Sequence, residues 1–88
     1  MRVLFCGTAF ERVKESILPL FSNMEFRIAR DEEILEALPW AEILVTAPRE
    51  IGEEMLREGK SLELIQEWGT GVEGIDLEAC SRRGIKVC

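Results

Sequence analysis

The run Glu42-Ile43-Leu44-Val45-Thr46-Ala47, "EILVTA", decides the fold class of this 88-residue chain. Its apolar residues are consecutive rather than alternating, which is typical of a strand buried on both faces of a parallel sheet. The run is far shorter than the roughly 20 apolar residues that a membrane-spanning helix needs. We therefore predict an α/β fold in which this segment is the central strand and helices cover both faces of the sheet.

Strand and helix patterns alternate on both sides of this segment. Asp31 and Asp76 are predicted to cap helices, and Leu35 is expected in the buried stripe of the helix that follows Asp31. Short connections favour right-handed crossovers, so a flavodoxin-like parallel sheet of five strands in the order 2-1-3-4-5 is predicted. The predicted strands are 2–6, 25–29, 42–47, 62–68 and 85–88, and the predicted helices are 10–21, 31–38, 48–58 and 77–83.

The fifth helix of such a fold is missing, because Cys88 falls within the last predicted strand. A sheet of this kind needs helices on both faces, and the missing helix would lie beside the first one. One face is therefore expected to be half bare. We expect the 88 residues to be a piece of a longer protein, the remainder of which covers this face; a complete 88-residue protein is the alternative.

Charge and cysteine content narrow the function classes. With 11 basic and 17 acidic residues the net charge is -6, which argues against nucleic acid or an anionic membrane as a partner. No apolar stretch resembles a secretory signal, so a cytoplasmic protein is expected. Three cysteines without a CxxC pair indicate neither a disulfide framework nor a zinc site, and we expect buried, reduced thiols at all three positions: Cys6, Cys80 and Cys88.

The glycine-rich loop in "LIQEWGTGVEGID" (64–76) is the first candidate site. Ligands of open parallel sheets lie outside the carboxyl ends of the strands, where this loop is expected together with "CGTAF" and "TAPRE". Gly69 and Gly71 remove side chains at the turn, which would let the amides of Thr70, Gly71 and Val72 converge on a small anion. The alternative is a tight turn without a ligand.

The segment "LELIQEWGTGVEGIDLEACSRRGIKVC" (62–88) resembles the signature that ends the substrate-binding domain of D-isomer-specific 2-hydroxyacid dehydrogenases, the group of phosphoglycerate dehydrogenase and glyoxylate or hydroxypyruvate reductase. "AEILVTAPREIGEEML" (41–56) is similar to the third strand and following helix of that family. The resemblance rests on the spacing of Gly69, Gly71, Asp76, Ala79, Gly84 and Val87.

This resemblance implies that residues 1–88 are a substrate-binding domain, truncated before a Rossmann nucleotide-binding domain. The whole enzyme would oxidise the CH–OH group of a D-2-hydroxy acid, or reduce the 2-oxo acid, with NAD or NADP bound by that other domain. The expected partner is a small carboxylate substrate, and a homodimer is expected for the full-length protein. Residues 1–88 alone are expected to be inactive, because the family's catalytic Arg, Glu and His lie downstream and the chain contains no His.

The resemblance also assigns substrate-binding residues. Backbone N–H groups of the loop Gly69, Thr70, Gly71 and Val72 would hold the substrate carboxylate, and the loop at Thr46 and Ala47 would line the same pocket. Two departures stand out. Thr46-Ala47 replaces an Arg-Ser pair of many members, which removes a cation and a hydroxyl. Glu73-Gly74 replaces Asp-Asn, which is expected to loosen that turn. No catalytic, cofactor-binding or metal-binding residue is predicted within the 88 residues.

The same residues are also compatible with other functions. Gly69, Gly71 and Gly74 match G-x-G-x-x-G, but no acidic residue follows about 20 positions later to hold a ribose. Cys6 and Arg12 have the spacing of a low-molecular-weight phosphatase loop, although no Asp-Pro supplies a general acid. A stand-alone flavodoxin-like interaction module is the third possibility. Trp68, just before the glycine loop, is a candidate for the wall of the substrate cleft.

Overall fold

The strands and helices follow the predicted alternation along the chain. The computed structural model describes residues 1–7, 10, 14–17, 19, 23–47, 49–68 and 73–88. The strands are β1 (Arg2–Cys6), β2 (Glu25–Ala29), β3 (Ile43–Thr46), β4 (Leu64–Glu67) and β5 (Lys86–Val87). The α-helices are α1 (Lys14–Ile17), α2 (Ile34–Ala37), α3 (Glu53–Glu58) and α4 (Leu77–Arg82). Two 3-10 turns, Asp31–Glu33 and Leu38–Trp40, flank α2.

All five strands are parallel and lie in the order β2-β1-β3-β4-β5. The predicted flavodoxin-like arrangement is therefore confirmed. In the centre, Val45 of β3 is in register with Phe5 of β1 and with Gln66 of β4. Leu44 and Val45 point to opposite faces, and both are buried, with exposed fractions of 0% and 4%. Burial on both faces explains why the sequence of this strand lacks alternation.

The two faces of the sheet differ in what packs on them. We call the first the helix-covered face, because residues of α2, α3 and α4 form its core together with alternate strand residues such as Leu4, Leu44 and Ile65. The second face has a smaller cluster, formed by Val3, Phe5, Phe10 and Val45.

An apolar groove of about 220 Å³ runs along the second face over β1, β3 and β4. Gln66 in the middle of β4 is exposed on this side, and Trp68 exposes 53% of its surface. This is the region in which the sequence predicted a half-bare sheet. The groove is lined by Val3, Met24, Ile43, Val45, Leu64, Gln66 and Trp68.

The start of the α2 region differs from the prediction. Arg30 rather than Asp31 occupies the N-cap position, and the Arg30 N–H donates to Glu33 Oε1 at 2.9 Å. The predicted cap at Asp31 is wrong because its carboxylate is engaged elsewhere, by Arg49. Leu35 is also exposed rather than buried, since Ile34 and Leu38, four residues apart, are the ones that face the core.

The cap at the start of α4 is confirmed: Asp76 Oδ1 accepts a hydrogen bond from the Ala79 N–H at 3.0 Å. This carboxylate satisfies one of the unpaired amides of the first helical turn.

The cysteines are free, as predicted, but they are not all buried. Cys6 and Cys80 are buried, whereas Cys88 is exposed beyond the end of β5. Within the described part of the chain, no three His, Cys, Asp or Glu side chains cluster closely enough to hold a metal ion. The helices seen in that part are too short and too polar to cross a membrane.

Candidate functional site

The carboxyl edge of the sheet brings the ends of β1, β3 and β4 together. Cys6, Thr46 and Glu67 lie in register across these strands. Thr46 is completely buried and its hydroxyl donates to the Ala47 carbonyl at 2.8 Å, while Ala47 is half-buried. The Trp68 N–H donates to the Thr46 carbonyl at 2.7 Å, so the β4 loop leaves the sheet beside the β3 loop.

The predicted anion-binding residues Gly69, Thr70, Gly71 and Val72 lie outside the described residues, and so does Arg12. Their roles stay predictions.

The loops that follow β3 and β4 are joined by a short parallel bridge between Ile51 and Ile75. The Ile51 N–H donates to the Gly74 carbonyl at 2.8 Å, and the Asp76 N–H donates to the Ile51 carbonyl at 2.9 Å. We call Ile51, Gly74, Ile75 and Asp76 the clasp. Ile51 is fully buried and Ile75 is 5% exposed, so the clasp is an extension of the core of the helix-covered face. The two loops are therefore held as one unit.

Gly74 is required by the close approach of these loops. A Cβ at this position would overlap the Arg49 carbonyl oxygen and lie 2.7 Å from the Arg49 carbonyl carbon. Contacts this short with a backbone atom cannot be relieved by a side-chain rotation. The expectation that Glu73-Gly74 loosens the turn is therefore wrong, because the missing side chain lets the β3 loop pack directly on the backbone.

The same contact bears on the G-x-G-x-x-G pattern. The space left by its third glycine, Gly74, is filled by the backbone of Arg49. The Asp76 carboxylate already occupies the start of α4, where it would repel a pyrophosphate. The start of α4 is therefore not suited to a pyrophosphate.

Arg49 places a cation at the carboxyl edge. Its Nη2 donates to Asp31 Oδ1 at 2.6 Å, and its side chain is 25% exposed. Thr46-Ala47 lacks the cation of the Arg-Ser pair that the resemblance implies, but Arg49 supplies a cation to this edge three residues after Thr46. The signal was present in "TAPRE", directly after the central strand, but the sequence did not show where the side chain would turn.

Cys6 lies close to the Arg49 guanidinium, but its burial disfavours the thiolate that a nucleophile needs. Burial raises the pKa of the Cys6 thiol to about 11, although the neighbouring Arg49 acts in the opposite direction. The group is therefore a neutral thiol near pH 7, whereas a phosphatase loop requires a thiolate.

Glu67 is a further polar residue of this edge that the sequence did not single out. It is the last residue of β4, only 7% exposed, and its Oε1 accepts no hydrogen bond from the described part of the chain. A buried acceptor without a partner costs about 1–3 kcal/mol. The sequence feature that could have identified Glu67 is an acidic residue inside an otherwise strand-like segment.

Trp68 turns toward the second face. Its ring meets that of Phe10 edge-on, with 5.7 Å between the centroids, and it lines the apolar groove.

Comparison with known proteins gives a family and a fold. A family model described as the catalytic domain of D-isomer specific 2-hydroxyacid dehydrogenases matches residues 6–88. D-3-phosphoglycerate dehydrogenase of Archaeoglobus fulgidus is 33% identical over 60 residues, which cover 68% of this chain and 11% of that protein.

Solved structures share the fold over nearly the whole chain. NAD⁺-bound 3-phosphoglycerate dehydrogenase of Entamoeba histolytica has a TM-score of 0.88 and 22% identity, covering 99% of this chain and 32% of that one. NAD-dependent formate dehydrogenase of Staphylococcus aureus, in complex with NAD, has a TM-score of 0.79 and 20% identity, covering 99% and 30%. The 88 residues thus span about a third of these structures and a smaller share of the Archaeoglobus relative.

The family match runs from the end of β1 through the clasp to the last residue, and it leaves no room for the phosphatase reading of Cys6. This chain belongs to the D-isomer specific 2-hydroxyacid dehydrogenase family.

Proposed function

We propose that residues 1–88 form the substrate-binding domain of an NAD(P)-dependent oxidoreductase that oxidises the CH–OH group of a D-2-hydroxy acid or reduces the corresponding 2-oxo acid. Family membership supports the reaction class. The observation that carries the binding role is the clasp, because it holds the β3 and β4 loops together at the edge where open parallel sheets bind ligands.

The backbone of the β4 loop is the proposed carboxylate site. Thr70 and Gly71 would point N–H groups at the substrate carboxylate, with Gly69 and Val72 shaping the turn around them. A hydrogen bond from an N–H to a charged acceptor contributes about 1.5–3 kcal/mol. Ala47 would line the same pocket, and the buried Thr46 would support it from below. Because the chain carries a net charge of -6, the guanidinium of Arg49 at this edge lowers the cost of bringing an anion there.

The nicotinamide cofactor belongs to another part of the protein in this proposal. The Asp76 carboxylate at the start of α4 would repel a pyrophosphate, and the chain has no His. NAD or NADP would accept or deliver the hydride from a nucleotide-binding domain beyond these residues. Residues 1–88 would then bind and orient the substrate, and would show no turnover alone.

The apolar groove is the proposed contact with the remainder of the same polypeptide. Its lining is apolar apart from Gln66, and Met24 and Trp68 are both exposed there. An exposed apolar patch of this kind marks an interaction site more often than free surface. A cytoplasmic homodimer is the proposed state of the full-length protein.

The test is an activity assay of the full-length protein with NADH or NADPH and a panel of 2-oxo acids, in parallel with residues 1–88 alone. We expect turnover by the full-length protein and none by residues 1–88. No turnover with any 2-oxo acid or D-2-hydroxy acid would reject the proposed reaction. Turnover by residues 1–88 would reject the proposal that these residues only bind the substrate while another domain binds the nicotinamide cofactor.

A further inference from the structure

We propose that Arg49 is a positioning residue, which fixes the relative placement of the loops at the carboxyl edge and through them the substrate carboxylate site. The backbone of Arg49 packs on the β4 loop, and its side chain reaches the ends of β1 and β2. This role rests on the proposed function for its effect on substrate binding, but the contacts themselves do not depend on it.

The backbone contact ties Arg49 to the β4 loop. The Arg49 carbonyl lies against Gly74 so closely that no side chain fits between them. Two residues later, Ile51 is hydrogen-bonded to Gly74 and to Asp76 in the clasp. A displacement of Arg49 therefore moves the turn that carries the end of the glycine loop.

The side chain ties Arg49 to the other side of the edge. The guanidinium donates to Asp31, two residues beyond the end of β2, at 2.6 Å. It also lies beside the buried thiol of Cys6 at the end of β1. Burial opposes the charge of Arg49, but the hydrogen bond to Asp31 and the proximity of Cys6 outweigh it, and the pKa of Arg49 lies above its ordinary value. The cation is therefore permanent.

The ion pair itself contributes little to stability, because the Asp31 side chain is 71% exposed. Its effect is on geometry: the ends of β1 and β2 are linked to the β3 loop by the side chain, and the β3 loop to the β4 loop by the backbone. Without the guanidinium, the paired loops could shift away from the β1 end. Substrate binding should weaken, while the hydride step of a bound substrate should proceed as before.

The experiment uses Arg49→Ala in the full-length protein. We expect the KM for the 2-oxo acid to rise at least about threefold, with kcat and the KM for the nicotinamide changed by less than about twofold. Arg49→Lys should recover part of the loss, because lysine keeps the charge that pairs with Asp31 but lacks the planar fork. The matched control is Arg57→Ala on the exposed side of α3, where the guanidinium has no partner among the described residues. This control should retain wild-type kinetics.

Asp31→Asn separates positioning from direct substrate contact. If Arg49 positions the loops, Asp31→Asn should raise the KM for the 2-oxo acid, and the double variant should be no worse than Arg49→Ala alone. If Asp31→Asn lowers that KM instead, Arg49 binds the substrate itself and the positioning role is wrong. An unchanged KM in Arg49→Ala, or a fall in kcat at constant KM, would also overturn it.

Amide hydrogen exchange gives a readout that does not need activity. The Ile51 and Asp76 N–H groups, both bonded within the clasp, should exchange at least about threefold faster in Arg49→Ala than in the wild type or in Arg57→Ala. Unchanged exchange would overturn the proposal. If the wild type reduces no 2-oxo acid, the proposed function fails, and the exchange rates still decide whether Arg49 holds the loops.

Discussion

The two faces of β3 show how differently the two sides of this sheet are completed. Leu44 points into the helix-covered face, where residues of α2, α3 and α4 close over it and leave it fully buried. Ile43 and Val45 point to the second face, where both contact the smaller cluster and also line the apolar groove. Gln66 and Trp68, farther along the same face, are exposed.

This difference separates the face that anchors the described loop residues of the carboxyl edge from the face that we propose is covered by the remainder of the polypeptide. Ile51 and Ile75 of the clasp belong to the same core cluster as Leu44, so the loops at the carboxyl edge are anchored in the completed face. The groove shares no lining residue with that cluster. The predicted effects below follow this division, with the largest effect expected in the core of the helix-covered face and the smallest at the carboxyl edge of the sheet.

Truncation of one leucine on each face tests whether the helix-covered face and the groove differ in how much they contribute to stability. Leu44→Ala removes a fully buried side chain and should lower the unfolding free energy of the full-length protein by about 2–5 kcal/mol. In the full-length protein, Leu64→Ala in the groove should lower the unfolding free energy by at least about 2 kcal/mol. In residues 1–88 alone, where the groove is open, the same substitution should lower it by no more than about 1 kcal/mol.

Urea unfolding of both variants, in both chain lengths, measures this difference. A small and equal cost of Leu64→Ala in the two chain lengths would mean that nothing covers the groove in the full-length protein.

The clasp provides the second test, because its tight packing should make it intolerant of a single added methyl. Gly74→Ala would push a Cβ into the Arg49 carbonyl, and we expect a loss of about 1–3 kcal/mol in unfolding free energy. The matched control is Gly52→Ala at the start of α3, where a Cβ would meet open space and φ is not positive. Similar stability losses in the two variants, measured by thermal unfolding, would argue against a special role for Gly74.

The fold could be predicted because its determinants are local. The unbroken apolar run of β3 and the alternation of strand and helix patterns restrict the topology, and the structure confirms the predicted strand order. The site is less accessible to such reasoning. Arg49 donates a hydrogen bond to Asp31, 18 residues away in the sequence. Because of this long-range bond, the Asp31 carboxylate does not cap the following helix as predicted. Gly74 is explained by a backbone from another loop. Neither contact is indicated by a periodic pattern of residues in the sequence.

The glycine loop offers the third test, which concerns function more than stability. In the full-length protein, Gly71→Val should raise the KM for the 2-oxo acid at least about tenfold, equal to about 1.4 kcal/mol, because a side chain would disturb the proposed N–H geometry. The affinity for the nicotinamide cofactor should be nearly unchanged. Thr70→Ala is the control, since it keeps the backbone amide. Steady-state kinetics with both substrates varied would reject the assignment if cofactor binding suffers equally.

Glu67 gives the smallest expected effect, and one of opposite sign. Its Oε1 is buried at the end of β4 with no hydrogen-bond partner among the residues that the structure describes, and a buried acceptor without a partner lowers stability. Glu67→Met fills a similar volume without an unpaired acceptor and should raise the unfolding free energy of the full-length protein by about 1 kcal/mol. Glu58→Met on the exposed side of α3 should change it by less than about 0.5 kcal/mol. Denaturant unfolding of both variants measures the difference. If Glu67→Met instead destabilises the protein by more than about 1 kcal/mol, the carboxylate has a donor in the full-length molecule, and Glu67 would join Arg49 among the groups that organise this edge.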